Sequence, residues 1–301
     1  MQQFRSSAGA PATQSADTAP GTPASAAVAA QAALRFAALR ERAQEPPPPL
    51  SRPLTIAGRL CGRATLAACD ALQGLPHIDV KPDELHIGAD MPAGAQLDAL
   101  LVAVAARLRE AQCLRGWRDE LLDVCDASGV AFTVLERAAM RPLGLLTRAV
   151  HLNAWTPEGR LWIARRAHTK ATDPGMWDTL VGGLASCAED LDIALARECA
   201  EEAGLAAADI AARTPLRNVL RLHRRLPEGY QVEDLLVSRC ILAPDVRPAN
   251  QDGEVTEITT VTAQQALAMA AAGEFTLEAA LVITGDLGAV LDTPRGARAA
   301  P

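Results

Sequence analysis

Gly183-Leu-Ala-Ser-Cys-Ala-Glu189-Asp-Leu-Asp-Ile-Ala-Leu-Ala-Arg197-Glu198-Cys-Ala-Glu201-Glu202-Ala-Gly204-Leu205 gathers four glutamates and one arginine into twenty-three residues. Asp190 suits a helix N-cap, because a short carboxylate accepts bonds from the free amides of the first turn. The helix then starts at Leu191 and stops at Gly204, where a left-handed backbone costs glycine little. About three and a half turns result. At about 100° per residue, Leu195, Ala196, Cys199 and Ala203 share the face that packs on a sheet, and Glu198, Glu201 and Glu202 share the adjoining one. Carboxylates three and four residues apart weaken an isolated helix by a few tenths of a kcal/mol per pair. A hard cation such as Mg²⁺ or Mn²⁺ offsets that repulsion, since it prefers oxygen ligands and keeps water that phosphates can replace.

Written as G-x5-E-x7-R-E-U-x-E-E-x-G-U, with U bulky and apolar, the stretch resembles the box of the Nudix hydrolases. Cys199 stands where a larger aliphatic residue is usual, and a small thiol packs there as a hydrophobe. The resemblance runs from about residue 147 to 290. Upstream it is carried by His151-Leu-Asn-Ala-Trp155, Leu161-Trp-Ile-Ala-Arg-Arg166, Lys170 and Asp173-Pro-Gly-Met-Trp-Asp-Thr-Leu-Val-Gly-Gly183, and downstream by Pro248-Ala-Asn-Gln-Asp-Gly-Glu-Val255. These flanks look like the subgroup with an extra N-terminal domain of unassigned function, whose fungal members include relatives of thiamine pyrophosphokinase chains.

The resemblance implies an α/β fold: a Nudix α/β/α sandwich with a mixed sheet, preceded here by a small α/β domain and a disordered tail. It implies that Glu198, Glu201 and Glu202 hold Mg²⁺ or Mn²⁺, with the Gly183 carbonyl as a further ligand. Arg197 would orient the glutamates through charge-assisted hydrogen bonds, with Glu189 as its partner, while Gly204 closes the helix. The implied reaction is hydrolysis of a small organic diphosphate by metal-activated water. Glu198, Glu202 and Glu254 are all candidates to take the proton.

Arg165, Arg166 and Lys170 end or follow a strand-like run, Leu161 to Ala164, and are candidates to meet the phosphates, arginine in bidentate fashion and lysine as a point charge. Lys170 is one of two lysines in the chain. Trp177 and Trp155 are candidates for stacking on a heterocycle, with core packing the competing role.

A net charge of −7 argues against a general nucleic-acid binder, which needs a basic footprint. The seven cysteines, at 61, 69, 113, 125, 187, 199 and 240, contain no Cys-x-x-Cys pair, so neither zinc nor a disulfide framework is indicated and a reducing, cytoplasmic setting is expected. No apolar run reaches membrane-spanning length. The chain divides into a tail at 1–27 and a small α/β domain at 28–146, then the Nudix-like domain at 147–290 and a second tail at 291–301. The tails are expected to be disordered.

Inside the first domain, a helix is expected over 28–44 ahead of the stiff Glu45-Pro-Pro-Pro-Pro segment. Strands are expected over 53–60, 84–87 and 132–136 and a helix over 96–113. Strands at 147–154, 161–165, 216–223, 231–240 and 254–261, and helices at 262–272 and 276–287, follow in the second. The first domain carries no catalytic constellation; covering the substrate pocket, extending the specificity surface and forming a homodimer are its open roles.

The leading expectation is therefore a metal-dependent hydrolase of a small-molecule diphosphate such as a thiamine diphosphate derivative. Nucleotide and nucleotide-sugar diphosphatase activity and a non-catalytic Nudix-fold sensor are the alternatives. Isopentenyl diphosphate isomerase shares the Pro-Gly-Met-Trp lead-in, but residues 178–184 lack the cysteine it needs.

Overall fold

The computed structural model describes residues 25–170, 172–251 and 253–289. The tail at 291–301 lies outside the described residues, as does the N-terminal tail except for 25–27, which open a helix. That helix, α1 (Ala26–Arg42), is capped by the Ser25 hydroxyl.

β1 (Arg52–Ile56), β2 (Arg59–Ala64), α2 (Leu66–Leu72), β3 (Ile78–Val80), β4 (Leu85–Ile87) and α3 (Ala95–Glu110) build the N-terminal unit. Its sheet has the order β2-β1-β4-β3, with β1 and β4 parallel. The run 53–60, expected as one strand, breaks into a hairpin because Ala57 and Gly58 both take positive φ. Leu97, Leu101, Val104 and Leu108 are the buried face of α3, as their spacing dictates. The hairpin β5 (Leu121–Cys125) and β6 (Ala131–Glu136) and the single turn α4 (Arg137–Met140) complete this unit. Leu135, Met140 and Leu143 join its core.

The second unit runs β7 (Leu146–Trp155), β8 (Leu161–Arg166), β9 (Trp177–Thr179), β10 (Val181–Leu184), α5 (Leu191–Ala203), β11 (Arg217–Leu226), β12 (Gly229–Ile241), β13 (Val255–Val261), α6 (Ala263–Ala272) and α7 (Leu277–Gly288). The sheet order is β11-β12-β7-β8-β13, mixed because β12 and β7 are parallel. β7 and β8 pair only at Trp155 and Leu161 and then diverge. β10 fills the split against β7 and β9 fills it against β8. Alternation along β7 sends Val150 and Leu152 into one core with Leu195, Cys199 and Ala203 of α5. Ala149 goes to the opposite core with α6 and α7. Helices on both faces make an α/β/α sandwich.

Chain order groups α1 with the N-terminal unit, but its packing corrects that expectation. Val28, Ala32 and Leu39 join the core of α7, β11 and β12, and Glu45 N donates to His223 O at 2.9 Å. The two units are also joined directly. A Cβ on Gly62 would lie 2.6 Å from Gly144 O, so the strand carrying Gly62 runs hard against the chain that enters β7. Tyr230 N donates to Arg141 O at 2.9 Å and Cys187 N to Leu121 O at 2.9 Å.

If α1 is an integral layer of the sandwich, Leu39→Ala should lower the unfolding free energy by about 2–4 kcal/mol. Urea denaturation checks it; a loss far below that range would show the helix to be peripheral.

Candidate active site

Arg197 is the hub of the box. It donates through Nε and Nη2 to the two oxygens of Glu189 at 2.8 and 2.9 Å, a bidentate pair. Nη2 also reaches Leu184 O at 3.1 Å, and Nη1 reaches Glu198 at 2.8 Å and Glu201 at 3.0 Å. Glu189 in turn accepts from Ser186 N at 2.9 Å, and the Arg197 guanidinium holds its carboxyl below the usual range. Helix α5 is thereby tied to β10 and to the loop before it. Asp190 caps α5 and Gly204 ends it at φ +64°, as expected.

Glu198 occupies the space a side chain at 183 would need: a Cβ there would stand 2.0 Å from Glu198 Cδ. Burial pushes the Glu198 carboxyl up, against the pull of Arg197. Glu202 accepts from Gly182 N at 3.0 Å. Burial pushes it to about 8, with Glu198 as a further cause. The glycine pair on β10 thus brings two carboxylates against bare backbone, each costly to keep ionised without a positive partner.

Both line a cavity of about 530 Å³ with Arg166, Lys170, Glu254 and Gly183. Lys170 and Glu254 form an ion pair across it. Arg166 donates to Asp178 at 2.9 Å and to Thr172 O at 3.0 Å. Glu201 does not line the cavity; it is half exposed and turned to Arg197. Among the described residues no three His, Cys, Asp or Glu side chains form a ready-made metal group. Arg165 and Trp177, expected to meet substrate, lie outside the cavity as well. Strand alternation turns Arg165 away from Arg166, onto Trp177 at 5.6 Å from the ring centroid and Gly175 O at 3.0 Å. Trp177 packs on the core and its backbone pairs with Glu274 and Thr276. Trp155 is likewise a core residue.

Residues 145–281 match the family model NUDIX domain. These residues form a NUDIX domain. The chain is 35% identical over 160 residues to Nudix hydrolase 20, chloroplastic, of Arabidopsis thaliana, covering 50% of this chain and 41% of that protein. It is 33% identical over 156 residues to Nudix hydrolase 24, chloroplastic, of the same plant, covering 50% and 42%. An uncharacterized Nudix hydrolase of Streptomyces coelicolor is 37% identical over 86 residues, 29% of this chain and 48% of that one. The chain thus spans less than half the length of each of these three relatives. A crystal structure from Deinococcus radiodurans is matched at 23% identity over 59% of this chain and 100% of that one, with a TM-score of 0.39.

The NUDIX domain does not enclose its cavity alone. Arg115, Arg118, Arg137 and Arg141 of the N-terminal unit form part of the wall. Arg137 pairs with Glu120 at 2.7 Å and Arg141 with Glu228 at 2.6 Å. Arg137 also acts electrostatically on Glu198. No sequence motif marked these arginines; the spacing of 137 and 141 on one helical face was the available signal. His151, Gln231, Glu233 and Glu278 also line the cavity, and of these only His151 lies in a segment that the family resemblance had marked.

Gly183→Ala should leave the fold intact, since the clashing atom ends a flexible side chain, yet displace Glu198. Expected is a loss of Mn²⁺ affinity of about tenfold or more with little change in melting temperature. Calorimetric Mn²⁺ titration checks it, and unchanged affinity would show that Glu198 is not a ligand for the ion.

Proposed function

We propose that the chain is a metal-dependent diphosphate hydrolase reacting at the β10–α5 edge of the cavity. The observation that supports this best is the buried pair Glu198 and Glu202, pressed on Gly183 and Gly182, in one cavity with Arg166 and Lys170. Two carboxylates suit Mg²⁺ or Mn²⁺, ions bound by one or two carboxylates, water and substrate phosphate and not by closed protein cages. Glu198 and Glu202 would hold the ion beside the Gly183 carbonyl, with Glu201 within one turn of the same helix. Once bound, it would supply charge against the phosphates and ionise a water.

The residues of the chain do the rest. Arg197 keeps Glu198 in place, and the Gly182 amide keeps Glu202 in place. Arg166 and Lys170 stand where phosphate oxygens would enter, held until then by Asp178 and Glu254. A proton leaving the attacking water has three acceptors along the cavity, Glu198, Glu202 and Glu254.

For substrate we place a small organic diphosphate first, and the flanks that resemble the thiamine-linked subgroup make thiamine diphosphate and its oxidised derivatives the first to test. A nucleotide or nucleotide-sugar diphosphate is the second reading. A sensor without catalysis is disfavoured because Glu198, Glu201 and Glu202 are all retained. The reaction is placed in a reducing compartment such as the cytoplasm, in keeping with seven free cysteines; among the described residues no helix is long and apolar enough to cross a membrane.

A panel of these diphosphates with Mg²⁺ and with Mn²⁺, read as phosphate release, is the test. Glu202→Gln should retain the fold and lose about a hundredfold or more of turnover; full activity would overturn the site. Glu254→Gln should lower the rate and shift its pH profile, whereas an unchanged rate and profile would leave Glu254 as a partner of Lys170 only.

A further inference from the structure

Residues 115–141 of the N-terminal unit carry four arginines and five acids. The fold sorts them by sign. Arg115, Arg118, Arg137 and Arg141 all line the cavity, whereas Asp119, Glu120, Asp123, Asp126 and Glu136 do not. Each acid is occupied elsewhere. Asp119 accepts from Trp117 Nε1 at 2.7 Å, Asp123 from Ala188 N at 3.1 Å and Asp126 from Ser128 N at 2.9 Å. Glu136, buried, accepts from Arg118 N at 2.9 Å, and Glu120 takes the Arg137 guanidinium and the Ser186 hydroxyl. A chain of net charge −7 thus turns only the positive charges of this stretch toward the cavity.

The four arginines are not equally committed. Arg137 is held by Glu120 at 2.7 Å and Arg141 by Glu228 at 2.6 Å. Arg115 reaches Glu228 only at 3.9 Å, and Arg118 is in no ion pair among the described residues. Both are exposed, so water covers their donors until a ligand takes its place. Charge balance gives them a use. On the hydrolase reading, a divalent ion between ionised Glu198 and Glu202 keeps no net charge for the substrate. Arg166 and Lys170 are already paired with Asp178 and Glu254. The acids on the α7 side have partners of their own, Arg224 for Asp173 and Glu278 and the Thr147 hydroxyl for Glu233. The uncommitted positive charge of the cavity therefore stands on the N-terminal unit.

We infer that Arg115 and Arg118 form an anion subsite that binds phosphate oxygens of the substrate, and that supplying this charge is the task of the N-terminal unit. The inference rests on the hydrolase reading only for the word substrate. Guanidiniums suit it because their forked donors match phosphate oxygens in pairs. The backbone holds the stretch to the box. Arg141 O accepts from Tyr230 N at 2.9 Å, Leu121 O accepts from Cys187 N at 2.9 Å, and Asp123 bonds the next amide of the same loop. Arg137 lies near enough to act electrostatically on Glu198, so the arginine wall extends to the box carboxylates.

The test is calorimetric titration of the full chain with methylenediphosphonate, a diphosphate analogue that water does not cleave, with Mg²⁺ and again without it. Arg115→Ala and Arg118→Ala should each weaken binding about tenfold under both conditions. Neither arginine makes a short ion pair, so the melting temperature should hold. Arg118→Lys should recover part of the loss, since a point charge replaces a fork. Arg107→Ala removes the same charge from α3, outside the cavity, and should change affinity by less than about twofold. A parent chain that does not bind the analogue, two alanine variants that bind it as the parent does, or an equal loss in Arg107→Ala would each overturn the subsite. Arginine-dependent binding in a chain that hydrolyses no diphosphate would sink the enzyme reading and spare the subsite. Hydrolysis with both alanine variants binding like the parent would do the reverse.

Discussion

The guanidinium of Arg197 is what allows a cluster of acids to sit on a short helix beside a glycine strand. Three glutamates within one turn and a half repel one another, and two of them are also stripped of water. One planar cation with five donated hydrogen bonds to Glu189, Glu198, Glu201 and Leu184 O offsets part of that cost. It also fixes position. Because the same group holds the loop at Glu189 and the strand at Leu184, α5 cannot slide relative to β10, and Glu198 stays in the space that Gly183 leaves open. The glycines and the arginine are two halves of one device: the first removes atoms so that a carboxylate can approach, and the second keeps it there.

The N-terminal unit follows from the same geometry. β7 begins at Leu146, immediately after the segment 141–145, which is squeezed between β2 and the β11–β12 turn. That contact places α4 and the loop before β5 over the open end of the split sheet. Arginines on these elements become cavity walls, and a negatively charged chain acquires a basic rim where phosphates would enter. Docking by backbone, through Gly62 against Gly144 and Tyr230 N on Arg141 O, leaves the side chains of Arg137 and Arg141 to face inward.

Much of this was legible in the residues. The capped helix α5 and its stop at Gly204 follow from spacing, the pairing of Arg197 with Glu189 from the family resemblance, and the long strands β7, β12 and β13 stand out by their apolar alternation. What was not legible is short, or depends on what the chain folds against. β3, β9 and β10 span three or four residues, too few for a period to emerge. Arg165 and Arg166 look equivalent in sequence, and only the pleat of β8 turns one to the cavity and the other to Trp177. α1 reads as the start of the first domain, yet its small apolar face of Val28, Ala29 and Ala32 fits α7, which is remote in the chain and brings Gly285 against Phe36 and Gly288 against Ala33. The cavity wall formed by Gln231 and Glu278 was hidden for the same reason: they are 47 residues apart and meet only when α7 packs on β12.

The cavity holds charge of both signs, and the two are met unequally. Arg166, Arg137 and Arg141 each already have a carboxylate, in Asp178, Glu120 and Glu228. Glu202 accepts from the Gly182 amide, and burial pushes its carboxyl up. Burying charge without a partner costs more than leaving it in water, so the β10–α5 edge is the part of the cavity with most to gain from a bound cation. Because the N-terminal unit docks by backbone and adds its arginines to the same wall, it sets part of the charge around those carboxylates.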